Sequence, residues 1–339
     1  MKISKEEIDH AFTLFEGKKV LILGDVMIDS YLRGKVDRIS PEAPVPVVRL
    51  DKRENMLGGA ANVALNVKSL GAVPVLCSLI GNDQRGNEFL ELLRQDGIPD
   101  NGILRSEDRI TTIKFRIIGN NFQMLRVDEE MDTDLNSDEE TLLILHVTRL
   151  LDIEDISVII LQDYNKGVLT RRVIEGVLAE ASRRGIPVAV DPKKNNFDVY
   201  KGVTLFKPNL KEMREGLKTD VDASDKDSLR RAVSALQQKQ NLKSVMVTLS
   251  EQGVYYRNLS DAVPAEVIVP AHLRNIADVS GAGDTVISVA SLCVAINSSS
   301  QLLVSLSNLA GGLVCEQVGV VSVDKQRLHK EALELLANE

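Results

Sequence analysis

The sequence predicts an α/β fold: a doubly wound, mostly parallel sheet with helices on both faces and a small β lid. Three observations carry this. Short β-branched runs alternate with longer amphipathic stretches along the 339 residues, which is the rhythm of βαβ units. The short runs are almost entirely apolar, as strands covered on both faces are. Two segments break the rhythm and read as antiparallel hairpins inserted into the frame.

Taken in order, Ser4 followed by Glu7 forms a capping box that starts an N-terminal helix. Strands are predicted over 20–23, 73–78, 158–161, 188–190 and 244–249. Helices are predicted over 60–70, 84–96, 138–151, 170–184 and 227–238. The first insertion, about 29–50, holds Pro41, Pro44 and Pro46 between strand-like pieces, where proline suits an edge or a turn. The second, about 109–127, alternates polar and apolar residues from Thr112 to Ile118 before a turn at Gly119-Asn120-Asn121. Both flank the same candidate pocket, which favours a lid over an idle surface hairpin. No repeat, low-complexity tract or Pro/Gly linker divides the chain, so residues 1–339 are expected to form one domain.

The bulk numbers narrow the function classes. A hydrophobic content of 44% supports a large core. The net charge of -8 argues against a nucleic-acid surface, which needs clustered Lys and Arg. Cys77, Cys293 and Cys315 lie far apart in apolar surroundings and read as reduced, buried thiols. The charged start, Met1 to Glu7, lacks the apolar run of a signal peptide, and no run of about 18 apolar residues appears. The expectation is a cytoplasmic protein with no membrane partner.

The segment with most chemistry is Asp278-Val279-Ser280-Gly281-Ala282-Gly283-Asp284-Thr285, followed by an apolar helix. Small residues before a helix let backbone amides approach an anion, with the helix dipole behind them. Asp284, just inside the helix, is placed to take a proton from a hydroxyl. It equally suits a helix cap, and spacing alone leaves both readings standing. Leu57-Gly58-Gly59-Ala60-Ala61-Asn62 again permits close backbone approach, and Asn62 offers a donor and an acceptor to a sugar hydroxyl; tight helix packing explains the small residues as well.

Asp25 and Asp29 follow the first strand, where ligands of open α/β sheets bind. Two acids there suit a bidentate grip on vicinal hydroxyls, and they also suit a turn acid beside a solvated one. Asn209-Leu210-Lys211-Glu212 opens a helix with Asn209 and Glu212 on one face. That pair suits hydrated magnesium against ATP phosphates, and it also spells a capping box, the first choice without context. Neither the phosphate loop ending in Gly-Lys-Ser/Thr nor a Gly-x-Gly-x-x-Gly after the first strand is present, which disfavours P-loop kinases and dinucleotide dehydrogenases.

Together these segments resemble the ribokinase-like (PfkB-type) carbohydrate kinases, from about Lys18 to about Val323. Gly58-Gly59, Asn62, Gly71 and Gly81 come first and Asp278 to Asp284 late, in the family's order. Residues 24–29 and 38–48, Asp163-Tyr164-Asn165-Lys166-Gly167, Asp191-Pro192-Lys193 and Ser250-Glu251-Gln252-Gly253 resemble the subgroup phosphorylating heptose 7-phosphate for ADP-heptose and lipopolysaccharide synthesis.

The resemblance implies a ribokinase-like fold and roles at matching positions. Asp284 is the expected base, with the amides of Gly281, Ala282 and Gly283 as anion hole. Asn209, Leu210, Lys211 and Glu212 mark the ATP–magnesium site, with Asn209 and Glu212 reaching the metal through water. Thr248, Ser250, Gly253 and Asn308 border the nucleotide. Asp25, Asp29, Gly58, Gly59 and Asn62 hold the sugar. Arg38, Arg126, Lys166 and Lys193 are the candidates for the substrate's phosphate, because a fixed cation offsets the desolvation of a dianion. A monovalent cation and a homodimer through the lid follow by analogy. Val289 and residues 316–320 depart from the family pattern at positions that touch packing and the nucleotide edge. Some relatives carry a fused nucleotidylyltransferase domain; with the chain ending at Glu339, a separate protein is expected for that step.

Overall fold

The computed structural model describes residues 3–260 and 265–337; Met1, Lys2 and Glu339, used above, lie outside the described residues. A nine-stranded sheet forms the frame, in the order β13 (Ala265–Val269), β12 (Val254–Asn258), β11 (Ser244–Thr248), β10 (Leu205–Phe206), β9 (Val188–Asp191), β8 (Ile156–Gln162), β1 (Lys19–Gly24), β4 (Val73–Gly81) and β5 (Ile103–Ser106). The pairs from β5 through β11 are parallel, whereas β12 and β13 add an antiparallel edge.

The apolar strand runs have a direct cause. Along β1, Val20 and Ile22 enter one hydrophobic core while Leu21 and Leu23 enter the other. The first core is completed by Ile8 of α1 (Lys5–Phe15), Val63 of α2 (Ala60–Ser69), Phe89 of α3 (Gln84–Gln95), Ile287 of α8 (Ala282–Ala295), Leu306 of α9 (Ser300–Val314) and Leu328 of α10 (Lys325–Leu335). The second takes Leu143 of α4 (Ser137–Ile153), Val173 of α5 (Arg171–Arg184), Met213 of α6 (Leu210–Leu217) and Val233 of α7 (Lys226–Gln240). Each such side chain is worth about 1.5–3 kcal/mol when buried. A one-residue slip of a strand exchanges the faces its side chains occupy, so register is firmly set.

The lid is a separate four-stranded sheet, ordered β3 (Pro46–Gly59), β2 (Val26–Ile39), β6 (Ile113–Gly119) and β7 (Phe122–Glu129). The first hairpin extends beyond 29–50 at both ends, because irregularities at Arg33/Gly34 and Val36/Arg38 let two long strands stay paired. In the second, Asn120 and Asn121 both take positive φ between the paired Gly119 and Phe122, the requirement of a tight two-residue hairpin.

At the N-terminus only half of the expected capping box forms. Ser4 Oγ accepts from the Glu7 amide at 3.1 Å, while the Glu7 carboxylate accepts from the Ser299 hydroxyl. The three cysteines are buried free thiols. Among the described residues no helix is long and apolar enough to cross a membrane.

Candidate active site

The carboxyl ends of five neighbouring parallel strands deliver polar groups to one place. Asp25 follows β1, Gln162 ends β8 with Tyr164 just beyond, Asp191 ends β9, Lys207 follows β10, and Thr248 ends β11. All but Tyr164 and Thr248 are buried. The first turn of α8 meets them. Its N-cap, Gly281, has φ +79, and a Cβ there would stand 3.0 Å from the Asn62 side-chain amide, so glycine serves both the turn and the approach.

Asp284 sits at the centre, with 4% of its surface exposed. Its Oδ2 accepts from Asn62 Nδ2 at 2.7 Å, and its Oδ1 accepts from the Tyr164 hydroxyl at 2.6 Å and from Gln162 Nε2 at 3.2 Å. Burial raises the carboxyl pKa to about 6, and the bonds from Tyr164 and Asn62 work against that rise. A carboxylate with this pKa is ionised at neutral pH yet basic enough to accept a proton. Behind Gly283 lies a buried ion pair, Lys207 Nζ to Asp191 Oδ2 at 3.0 Å.

A cleft of about 730 Å³ opens from this point, lined at one end by Tyr164, Asp191, Lys193, Lys207 and Gly281 to Asp284. Asn209, Thr248, Ser250, Gly253 and Asn308 line it as well, so the expected nucleotide-border residues face the same space. His272 joins them. The Ala282 amide is directed at the Val279 carbonyl, 3.3 Å away, which leaves Gly281 and Gly283 as the freer members of the expected anion hole.

Asn209 and Glu212 complete a full capping box on α6, each side chain accepting from the other's backbone amide. The remaining Glu212 oxygen binds Lys193. Among the described residues no group of three or more acids, histidines or cysteines is placed to hold a metal ion. Asn209 borders the cleft, whereas Glu212 lies off its lining with one oxygen on the Asn209 amide and the other on Lys193, so of the expected magnesium pair only Asn209 reaches that space directly. Leu210 lies on the same helix without lining the cleft, and the Lys211 side chain is 83% exposed.

On the lid side, Asp29 is buried and paired with Arg116 of β6, which stacks 5.3 Å over the Tyr31 ring. Gly58 leaves room for that carboxylate: a Cβ would lie 2.3 Å from Asp29 Oδ2. Asp25 is held differently. Its carboxylate accepts from the amides of Tyr164, Lys166 and Val168 at 2.8, 3.2 and 3.0 Å, so its oxygens are turned to the 164–168 loop. Burial, and then Asp163, raise its pKa to about 6.

The four cations proposed for the substrate phosphate are not gathered in this structure. Arg38 is exposed on the lid hairpin, and Arg126 bonds Asp128 on its own strand at 2.9 Å. Lys166 pairs with Glu130 at 2.7 Å. Lys193 pairs with Glu212 and lies 5.6 Å over the Tyr164 ring, on the nucleotide side. Burial alone would depress Lys193, but Asp191 and Glu212 hold its pKa above the usual lysine range.

Sequence reading missed Tyr164, Gln162, Asp191, Lys207 and Arg116 as site residues. A polar residue closing an apolar strand was the available signal for Gln162, Asp191 and Lys207. Nothing in the local sequence shows that Tyr164 turns back onto Asp284.

Residues 17–326 match the pfkB family carbohydrate kinase. The chain is 40% identical over 316 residues to the bifunctional protein HldE of Caulobacter vibrioides, covering 93% of this chain and 63% of that protein. It is 37% identical over 305 residues to HldE of Sulfurimonas denitrificans, covering 90% and 62%. It thus spans under two thirds of these relatives' length. Among solved structures, phosphofructokinase-2 from Escherichia coli in complex with potassium superposes with a TM-score of 0.75 at 20% identity, covering 93% of this chain and 99% of that one. Ribokinase from Arabidopsis thaliana complexed with ribose and ATP gives 0.68 at 15%, with 93% and 99% covered. These structures share the ribokinase-like fold.

Proposed function

The chain belongs to the pfkB family of carbohydrate kinases, and from that premise we propose a specific acceptor: the anomeric hydroxyl of D-glycero-β-D-manno-heptose 7-phosphate. The product is the 1,7-bisphosphate on the route to ADP-heptose and the lipopolysaccharide core. The observation that carries the chemistry is the buried Asp284 carboxylate at the start of α8, facing the nucleotide-sized cleft. The acceptor rests on the heptose-kinase-like segments of the sequence and on the likeness to HldE proteins.

In this reading ATP lies along the cleft with its phosphates toward Gly281 and Gly283, and the sugar sits between Asp284 and the lid. Asp284 takes the hydroxyl proton as the oxygen attacks the γ-phosphorus and ADP departs. The two amides, the α8 dipole and the buried Lys207 stabilise the charge on the transferring group. Asn209, held by Glu212 in the α6 cap, would hold the waters of a magnesium ion bound with ATP, which would neutralise phosphate charge. The lid excludes water, whose attack on ATP is the competing reaction. Asp29, Gly58, Gly59 and Asn62 face the sugar, and Arg126 with Lys166 serves its 7-phosphate. A monovalent cation is an optional activator. The lid also joins two copies, because the outer strand β7 exposes Phe122 and Leu125. The bisphosphate passes to a nucleotidylyltransferase.

The deciding experiment is ADP release with magnesium-ATP across an acceptor panel of heptose 7-phosphate, fructose 6-phosphate, ribose and adenosine. Selective turnover of the heptose phosphate supports the proposal. Selective turnover of another acceptor replaces the substrate and keeps the mechanism. Ligand-dependent thermal shifts without any ADP release would turn the reading to a non-catalytic binding protein.

A further inference from the structure

We infer that Tyr164 is a positioning residue for the general base: its phenol fixes Oδ1 of Asp284 and leaves Oδ2 to receive the acceptor's proton. This rests on the kinase reading above. A carboxylate is free to turn about its terminal torsion, and only one of its oxygens points correctly at the incoming hydroxyl. Here Oδ1 carries two donors, the Tyr164 hydroxyl at 2.6 Å and Gln162 Nε2 at 3.2 Å. Oδ2 carries one, Asn62 Nδ2 at 2.7 Å, so it keeps lone-pair capacity for a further donor.

Tyr164 is itself built into place from below. Its own amide and those of Lys166 and Val168 all bond the Asp25 carboxylate. Asn165 and Gly167 take positive φ, turning the loop sharply. Lys193, held by Glu212 of the α6 cap, covers the ring face at 5.6 Å. A continuous set of contacts thus runs from the α6 cap, through Lys193 and the Tyr164 ring, to the base. Burial and the neighbouring Asp284 keep the phenol pKa well above its ordinary value, so Tyr164 stays protonated and donates throughout. In the reaction the acceptor O–H proton moves to Oδ2, the O–P bond forms and the bond from γ-phosphorus to the ADP oxygen breaks. Tyr164 keeps its proton.

The charged groups facing Asp284 are Asp191 and Lys207 from the sheet and Lys193 beyond β9; none of them changes in Tyr164→Phe. Removing the phenol withdraws a bond that favours the ionised carboxylate. The acidic limb of kcat against pH should then move to higher pH by about one pH unit, with kcat at its optimum lowered roughly 10-fold. KM for ATP should stay within about twofold, since the nucleotide contacts remain. A merely structural tyrosine would lower stability and leave the limb in place. If Tyr164→Phe fails to fold, site-specific 3-fluorotyrosine, a stronger donor, must move the limb to lower pH. A profile superimposable on that of the unmodified protein in whichever substitution folds overturns the inference while the kinase reading stands. An unmodified protein silent toward every acceptor overturns the kinase reading, and the inference falls with it.

Discussion

Asn62 donates to Oδ2 of Asp284 at 2.7 Å, tying together the first turns of two helices whose contacting residues are 222 positions apart. The bond is buried, and Asn66, one turn on, ties the same helix pair again by accepting from the Thr285 hydroxyl at 3.0 Å. Helices α2 and α8 are therefore tied into one block, with Asp284 bordering the cleft. Such a block suits chemistry in which a 1 Å error in placement is costly.

Replacing Asp284 by Asn tests the base. Every group around this side chain is a donor, namely Asn62, Tyr164 and Gln162. An amide in its place must turn its own donor toward one of them, leaving a bond unmade at a cost of about 1–3 kcal/mol. The melting temperature should fall modestly, and kcat should drop by roughly 10²–10⁴. Steady-state ADP release and a thermal melt read both, and near-unchanged turnover would remove Asp284 as the base.

The same residue sets the pH dependence, in two opposite senses. Activity needs the ionised carboxylate, and with a pKa of about 6 kcat/KM should fall as pH drops below about 6. Stability runs the other way. Asp25 and Asp284 are both raised from 3.8 to about 6 on folding. Between those values the folded chain holds more protons than the unfolded one, so their contribution to stability declines as pH rises from about 4 to about 6. Denaturant titrations at pH 4.5 and 6.5, comparing the native chain with Asp284→Asn, isolate that contribution. The native chain should lose more stability across the interval than the variant.

Much of this architecture was readable from the chain. The strand and helix positions followed from β-branched apolar runs and 3.6-residue patterns, because both sheet faces are covered. The two-residue turn at Asn120-Asn121 was legible because left-handed backbone favours asparagine and glycine. The antiparallel strands β12 and β13 were not assigned: β13, at the sheet edge, is only half-buried, and the buried run of β12 is just three residues before Arg257 and Asn258. The site was legible only where it lies within one segment, as at Gly281 to Asp284. Tyr164 on Asp284 and Arg116 on Asp29 are contacts across 120 and 87 positions, set by folding and invisible to local spacing.

Asp25 offers a choice between two physical roles. As a grip for sugar hydroxyls, its loss would raise KM for the acceptor and leave stability intact. As the acceptor for three amides of the 164–168 loop, its loss would strand buried donors, each costing about 1–3 kcal/mol. Asp25→Ala is expected to show the second pattern, with lower stability to urea and a lower kcat as Tyr164 loses its seat. A raised acceptor KM at unchanged stability would return Asp25 to the sugar.

The lid edge should set the oligomer. Leu125 on β7 is 56% exposed and Phe122 is 76% exposed, an apolar edge that another copy can cover. Leu125→Lys is expected to convert a dimer to a monomer in sedimentation velocity. A native chain that is monomeric at micromolar concentration would discard the lid interface.

The substrate phosphate provides the last test, and Arg126 is its most informative residue. It sits directly across from Arg116 on the antiparallel β6–β7 pair, and like charges placed opposite one another destabilise a sheet unless something offsets them. Asp29 neutralises Arg116 and Asp128 takes Arg126, yet Arg126 is 53% exposed and free to reach a dianion. A charge-assisted bond to phosphate is worth about 1.5–3 kcal/mol, so Arg126→Ala should raise KM for heptose 7-phosphate by roughly 10–100-fold. Because that contact is the same in ground and transition states, kcat should hold. The effect should vanish with the unphosphorylated heptose, whose turnover the variant should match. An equal loss on both sugars would place Arg126 in the lid's structure, and no loss on either would remove Arg126 from the phosphate site and leave Lys166 there without it.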